Sequence, residues 1–294
     1  MESVLQGGIS VINWLQQASP LLDMPFKILT YTGDQMFYIL FFPLLIWSVH
    51  HRIGIRLTIF FLISAYFNSL AKLIVNQPRP VDFDSTVTTL VKESGGGLPS
   101  GHTQNAVVVW GYLFKYFQQR WVRILALLMI LLVPLSRIYL GVHFPTDVLG
   151  GYLIGAVVLI LIFRFEDQFI NWLKAQPLWV QLLPAVCLPV MAAFLIPTVT
   201  ATRVTLCGVL FGGGIGICLE RRYICFEVPD IHWKKIVCYL FGVSILMVIY
   251  LGSKKVVSDL EPEPLFRFIR YAVIGIYIVF IAPWLFKILR LSKN

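Results

Sequence analysis

The chain has 294 residues, of which 58% are hydrophobic and only 13% are charged. A soluble domain could not hide so much apolar surface, so this composition argues against a soluble protein and predicts an integral membrane protein. The formal net charge of +9 does not indicate a nucleic-acid partner. The charged residues form short clusters between apolar runs, as they do in the cytoplasmic loops of membrane proteins.

Residues 1–20 are predicted to form an amphipathic helix that lies on the membrane surface. Leu5, Ile9, Ile12 and Leu15 recur at helical spacing, and most of the polar residues fall on the other faces. The segment is not typical of a signal peptide, because no basic region precedes its apolar residues.

Apolar segments that are long enough, or nearly long enough, to cross a bilayer follow this helix. No alternating strand pattern is present, and lipid cannot satisfy the backbone of an open strand, so the segments are expected to be helices. The predicted fold class is therefore an all-α, polytopic transmembrane bundle. Its membrane helices, about nine in number, are predicted at 26–48, 55–76, 101–119, 122–140, 146–164, 178–198, 204–220, 235–251 and 268–289.

Positive charges and other polar residues are distributed unevenly. More than half of the 24 Lys and Arg residues lie in one set of connections, which the positive-inside rule places in the cytoplasm. The opposite set, predicted to face the periplasm, the cell exterior or an organelle lumen, comprises the loops 77–100, 141–145, 199–203 and 252–267. Residues 21–165 are predicted to be a functional core, and residues 178–294 a C-terminal transmembrane appendage.

Two glycine-rich stretches have less specific interpretations. SGGG, residues 94–97, predicts a flexible outer loop, with a lid over a site as the alternative. FGGGIG, residues 211–216, lies inside an apolar segment with no strand before it, so it favours close helix packing over a nucleotide-binding loop.

The first of three unusual outward-facing stretches is KLIVNQPRP, residues 72–80. Pro78 disfavours helical structure at the residue before it, so the membrane helix is expected to end near this point. Lys72 then lies in the last turn of the helix, whereas Arg79 lies in the emerging loop and can turn back towards it.

The second stretch is LPSGHT, residues 98–103. Ser100 is a favoured N-cap residue for the apolar helix that follows, and a helix N-terminus offers free N–H groups and partial positive charge to a phosphate. Gly101 allows a ligand to approach the backbone closely, and His102 lies beside this predicted anion site.

The third stretch is SRIYLGVHFPTDVLGG, residues 136–151. Arg137 ends one predicted membrane helix, and His143 lies in the short loop after it. Pro145 suits the first position of the next helix, so Asp147 falls in the first turn, four residues after His143. This spacing allows the carboxylate to hold one ring nitrogen and leaves the other nitrogen free to attack.

Together, the three stretches predict a phosphoryl-transfer site at one membrane face. Three cations and the backbone donors of a helix N-terminus can stabilise a pentacoordinate phosphoryl group without a metal ion or another cofactor. One histidine can be the nucleophile, and the other can protonate the departing alkoxide, which contributes about 10²–10⁴-fold to the rate. Each residue by itself could be an interfacial anchor or a helix cap, but the combination favours catalysis.

In this order, the three stretches resemble the signature of the type 2 phosphatidic acid phosphatase superfamily, which includes membrane lipid phosphate phosphatases and undecaprenyl pyrophosphate phosphatases. The flanking TGDQMFY at 32–38 is similar to bacterial and sphingosine-phosphate phosphatase-like members. The matching motif residues are Lys72, Arg79, Pro80, Pro99, Ser100, Gly101, His102, Ser136, Arg137, His143 and Asp147.

The resemblance implies a role for each catalytic position. His143 would form a phosphohistidine with support from Asp147, and His102 would protonate the leaving group and then activate water. The resemblance also implies six core membrane helices, whereas five segments are predicted within the core. Either the helix at 1–19 replaces the sixth, or the segment boundaries are wrong. The implied phosphate-binding residues are Lys72, Arg79, Ser100, Gly101 and Arg137.

The predicted function is hydrolysis of a lipid monophosphate or diphosphate by a multi-pass enzyme at the outer leaflet, with a bacterial inner membrane as the favoured location. The expected partners are the lipid substrate and the bilayer, because the site opens at the interface where lipid headgroups lie. Three alternatives remain at this point: phosphoryl transfer to a lipid hydroxyl, a soluble sugar phosphate as substrate, and a transporter or flippase. A transporter would need ionisable or helix-breaking residues near the bilayer centre.

Overall fold

The computed structural model describes residues 2–195, 198–257 and 260–293, and within these residues every regular element is a helix, as the sequence predicts. The chain divides into two compact units, which are residues 1–38 with 67–165 and residues 39–66 with 166–294. The divisions fall inside helices, so three helices contribute residues to both units.

The first unit contains the helices that carry the three motif stretches. They are α1 (Glu2–Gln16), α2 (Asp23–Tyr31), the start of α3 (Gln35–Leu44), the end of α4 (His51–Val75), α5 (Pro80–Phe83), α6 (Gly101–Tyr116), α7 (Arg120–Tyr139) and the first part of α8 (Pro145–Ala175).

Helix α1 packs its apolar face against other residues of the first unit. Leu5, Ile9 and Ile12 are buried in one cluster with Val87 and Phe144. The face that was predicted to rest on the membrane surface therefore contacts protein, next to the loop that carries the third motif.

The second unit contains the remainder of α3, α4 and α8 and all later helices. The later helices are α9 (Leu178–Phe194), α10 (Ala201–Leu219), α11 (His232–Val257), α12 (Glu263–Ile276) and α13 (Ala282–Ile288). A Cβ atom on Gly212 of α10 would lie 1.8 Å from the carbonyl oxygen of Ala272 on α12. The glycines of FGGGIG thus allow close helix packing, as predicted.

Six helical stretches in the described residues are long and apolar enough to cross a membrane, or seven if α2 and α3 form one bent span. The prediction of about nine membrane helices is therefore not confirmed. Helix α6 has 16 residues, and α9 has 17 with Pro184 and Pro189 inside it. At about 1.5 Å per residue, both are shorter than a hydrocarbon core of roughly 30 Å.

The segment predicted at 26–48 is interrupted between Tyr31 and Gln35, where α2 and α3 meet at an angle of 57°. The turn at this interruption carries Asp34, which reaches the functional site described below. The end of the segment predicted at 178–198 includes residues 196–197, which lie outside the described residues.

Candidate active site

The end of α4 and the loop after it position two of the predicted cations. Helix α4 ends at Val75, so Lys72 lies in its last turn, in agreement with the prediction from Pro78. Arg79 is the residue before α5, and its side chain is only 4% exposed. The two cations therefore come from opposite sides of one short non-helical connection.

The glycine-rich loop at 94–97 lies directly on these two cations. Nζ of Lys72 donates a hydrogen bond of 2.9 Å to the carbonyl oxygen of Gly96. Nε and Nη2 of Arg79 donate to the carbonyl oxygens of Gly95 and Ser94 over 2.8 and 3.1 Å. Backbone carbonyls thus accept hydrogen bonds from both cations, and an incoming anion has to replace some of these bonds.

The second motif forms the N-terminus of α6, as predicted. Ser100 is the N-cap, and its Oγ accepts a hydrogen bond from the N–H of Thr103 over 3.5 Å. The N–H of Ser100 donates to the backbone carbonyl oxygen of Asp147 over 2.9 Å, which ties α6 to α8. A Cβ atom on Gly101 would lie 3.0 Å from Oδ1 of Asn68 on α4, so a larger residue would crowd that junction.

The third motif places a buried histidine beside a buried carboxylate. Nδ1 of His143 lies 3.1 Å from Oδ2 of Asp147, which also accepts a hydrogen bond of 2.9 Å from the N–H of Phe144. Oδ1 of Asp147 accepts a bond of 2.7 Å from Nε2 of Gln77. Because both carboxylate oxygens are engaged, the ring of His143 is held in one orientation, with Nε2 as the nitrogen left for chemistry.

A carboxylate that the sequence did not single out lies between two of the cations. Glu93 pairs with Arg137, and its second oxygen lies 3.7 Å from Nη2 of Arg79. Burial opposes the ionisation of Glu93, but the charges of Arg137, His102 and Arg79 lower the pKa of its carboxyl. The cradle formed by the two arginines therefore contains a carboxylate of the protein itself.

His102 lies beside a second carboxylate from outside the three motifs. Its Nε2 is 3.1 Å from Oδ1 of Asp34, and the side chains of the two residues are 15% and 39% exposed. This pair is more accessible than the pair of His143 and Asp147, whose side chains are 2% and 0% exposed.

Direct bonds and electrostatic effects connect the three motifs within the first unit. Nη1 of Arg79 donates to the carbonyl oxygen of Val142 over 2.8 Å, next to His143 in the chain. Burial lowers the pKa of His143 well below its ordinary value, and the charges of Arg137, Lys72, Arg79 and His102 lower it further. His143 is therefore neutral at neutral pH, which is the form that can attack phosphorus.

All the predicted site residues lie in this one unit. The arrangement offers a cation cradle and a helix N-terminus for an anion, a fixed neutral imidazole, and a second imidazole for proton transfer. Among the described residues, no three His, Cys, Asp or Glu side chains are grouped so that they could hold a metal ion. These predicted site residues are Lys72, Arg79, Ser100, Gly101, His102, Arg137, His143 and Asp147.

Several contacting residues were missed by the sequence reasoning. Gln77 lies inside the first motif stretch, and Asp34 lies inside TGDQMFY. Their positions in these stretches could have indicated that both residues lie near the site. Asn68 is a polar residue inside a predicted membrane helix, and its Nδ2 donates to Oε1 of Gln104 over 2.8 Å. Glu93 lies in an irregular loop and has no local pattern that marks it.

The chain matches two family models that together cover most of it. Residues 54–171 match the PAP2 superfamily, and residues 204–294 match the transmembrane extension of PAP2 superfamily phosphatases. The second match covers most of the C-terminal region, to which the three motifs assign no role.

Known proteins resemble the chain over different lengths. Sphingosine-1-phosphate phosphatase 1 of Mus musculus is 27% identical, over 90% of this chain and 71% of the relative. Lipid phosphate phosphatase delta of Arabidopsis thaliana is 32% identical, over 58% of this chain and 45% of the relative. Phosphatidylglycerophosphatase B of Bacillus subtilis is 35% identical, over 39% of this chain and 59% of the relative.

Proposed function

Because this chain belongs to the PAP2 (type 2 phosphatidic acid phosphatase) superfamily, we propose that it is a membrane-embedded phosphatase that hydrolyses a lipid phosphate through a phosphohistidine on His143. The observation that carries the proposal is the buried, neutral imidazole of His143, held by Asp147 and surrounded by cations. Curated relatives named for hydrolysis of lipid phosphates and diphosphates support the substrate class.

In the first half-reaction, Nε2 of His143 attacks phosphorus as the bond from phosphorus to the ester oxygen breaks. The departing alkoxide takes a proton from protonated His102, so a neutral alcohol leaves and His102 becomes neutral. Lys72, Arg79 and Arg137 and the N–H groups at the start of α6 hold the charged phosphoryl oxygens. Asp147 stabilises the positive charge that develops on His143.

In the second half-reaction, neutral His102 takes a proton from a water molecule as its oxygen attacks phosphorus. The bond from phosphorus to Nε2 of His143 breaks, and the product is inorganic phosphate. His102 is left protonated and His143 neutral, so both residues regain the states in which the cycle began.

The proposed substrate is a lipid monophosphate that approaches from the non-cytoplasmic leaflet. The charge distribution of the loops supports that side, because the three motifs lie in the loops with fewer Lys and Arg residues. The match to a sphingosine-1-phosphate phosphatase extends over 90% of this chain, including its C-terminal region, so sphingosine-1-phosphate is the first lipid to test. Phosphatidylglycerophosphate and undecaprenyl diphosphate are the next two, because relatives named for their hydrolysis match shorter parts of the chain.

The test is phosphate release by the purified full-length protein from these three lipids in detergent, compared with release by the His143→Ala variant. We expect turnover of at least one lipid by the wild-type protein and none by the variant, with no effect of a metal chelator. Equal rates in the two proteins would overturn the proposed mechanism. Sealed vesicles that contain the protein in known orientation then test the membrane side of the site. Only vesicles that expose the non-cytoplasmic face should hydrolyse added lipid.

A further inference from the structure

The turn between α2 and α3 touches the site at two points, although it lies outside the three motifs. Thr30, at the end of α2, accepts a hydrogen bond from Arg137, and Oδ1 of Asp34 lies 3.1 Å from Nε2 of His102. The turn has its own backbone bonds, from the N–H of Gly33 to the oxygen of Thr30 over 2.9 Å and from the N–H of Asp34 to the oxygen of Tyr31 over 3.1 Å. The carboxylate therefore projects from a fixed backbone.

The residue before Asp34 packs against the same imidazole. A Cβ atom on Gly33 would lie 2.1 Å from Cδ2 of His102, which is closer than side-chain atoms approach one another. Glycine is the residue that lets the ring lie so close to the turn. Two consecutive residues thus constrain His102: Gly33 lies against its ring carbons, and Asp34 contacts its Nε2.

We propose that Asp34 is a positioning residue for His102, which holds the imidazole so that its other nitrogen, Nδ1, donates the proton to the leaving group. This inference rests on the proposed function, in which His102 is the general acid. A histidine whose one nitrogen is bound by a carboxylate presents its second nitrogen in a fixed direction, as in other catalytic histidine–carboxylate pairs.

The proton inventory of the two half-reactions agrees with this role. Protonated His102 keeps its Nε2–H on Asp34 and transfers the Nδ1 proton to the alkoxide as the ester bond breaks. Nδ1 then accepts a proton from the attacking water, while Asp34 keeps its contact with Nε2 and exchanges no proton. The carboxylate acts through His102 alone and makes no bond to the substrate.

Asp34→Asn removes the charge but keeps the size of the side chain, and leaving-group dependence tests its effect. An alkyl phosphate lipid needs a proton for its poor leaving group, whereas an aryl phosphate such as para-nitrophenyl phosphate departs without one. For Asp34→Asn we expect kcat/KM to fall about 10- to 100-fold with the alkyl phosphate, and less than about threefold with the aryl phosphate. Retained aryl phosphate turnover also shows that the variant is folded.

Asp84→Asn is the matched control. The carboxylate of Asp84 accepts hydrogen bonds from the N–H and the hydroxyl of Thr86, in an exposed loop of the same unit. We expect its kcat/KM with both substrates to stay within about twofold of the wild-type value, as for ordinary surface substitutions.

A double-mutant cycle separates positioning from a general structural role. If Asp34 acts through His102, Asp34→Asn should cause no further loss with the alkyl phosphate when His102→Ala is already present. Equal losses with the two substrates, or a further loss in the His102→Ala background, would overturn the role of Asp34 while leaving the proposed reaction intact. Turnover that survives in His143→Ala would overturn the proposed reaction itself, and this inference with it.

Discussion

The two histidines of the site are held by carboxylates in contrasting ways. His143 and Asp147 are four residues apart and almost completely buried, and both carboxylate oxygens have partners. His102 and Asp34 are 68 residues apart in the chain, and their side chains are partly exposed. A nucleophile benefits from a dry, rigid environment, whereas a residue that exchanges protons with an alcohol and then with water needs access. The difference in burial thus corresponds to the difference in proposed role.

The largest effect should come from breaking the buried pair. Asp147→Asn removes the charge that stabilises the imidazolium form of His143, and it also disturbs the bonds to Phe144 and Gln77. We expect kcat/KM to fall by about 10³-fold or more with both alkyl and aryl phosphates. The same fall with both substrates is essential, because a loss confined to alkyl phosphates would mean that Asp147 serves the leaving group.

The partly exposed pair of His102 and Asp34 should matter for alkyl phosphates and much less for aryl phosphates. In His102→Ala, kcat/KM should fall about 10²- to 10⁴-fold with an alkyl phosphate and much less with an aryl phosphate. The measurement is kcat/KM because it reports the steps up to departure of the leaving group. If the aryl phosphate suffers the same loss, His102 does more than donate a proton to the leaving group.

Local patterns predicted the buried pair of His143 and Asp147, and they could not predict the partly exposed pair of His102 and Asp34. The spacing of His143 and Asp147, the cap at Ser100 and the first position of Pro145 all depend on residues within one turn of each other. The contact of Asp34 with His102 depends on how the turn between α2 and α3 approaches the start of α6, and a single sequence contains no measure of that approach.

The contacts of Glu93 and the number of membrane helices could not be predicted from local patterns either. Glu93 meets Arg137 across 44 residues, in a loop without regular structure. The all-helical class followed from hydrophobicity, but hydrophobic segments do not reveal where a helix bends or stops short. The turn at 32–34 interrupts one predicted span, and that interruption is what places Asp34 in the site.

A smaller effect should appear in the pH dependence of kcat/KM, through the protonation of His143. Nucleophilic attack requires neutral His143, whose pKa is lowered by burial and by neighbouring cations, so the acid limb of kcat/KM should lie well below the ordinary histidine value of 6.5. Lys72→Met removes one cation. Its removal makes protonation of the imidazole more favourable, so the pKa of His143 should rise and the acid limb should move to higher pH. An acid limb that stays in place would show that another group controls it.

The smallest effect should come from the anion that occupies the cradle. Glu93 contacts Arg137 and Arg79, which we propose bind phosphate, so Glu93→Gln should lower the inhibition constant of vanadate by about fivefold, with a similar fall in KM. Lys92→Gln, which removes a charge from the neighbouring position of the same loop, is the control and should change neither constant. Weaker vanadate inhibition in Glu93→Gln would instead show that Glu93 orders the arginines for binding.

Transfer of the phosphoryl group to His143 is tested most directly by trapping the phosphohistidine intermediate. His102→Ala should accept phosphate from a labelled aryl phosphate but hydrolyse the phosphohistidine slowly, so about one acid-labile phosphate per chain should accumulate. Mass spectrometry of the alkali-quenched protein should place it on His143, and the His102→Ala, His143→Ala double variant should remain unlabelled. Steady phosphate release by wild-type protein, with no labelled His143 in either background, would contradict the account.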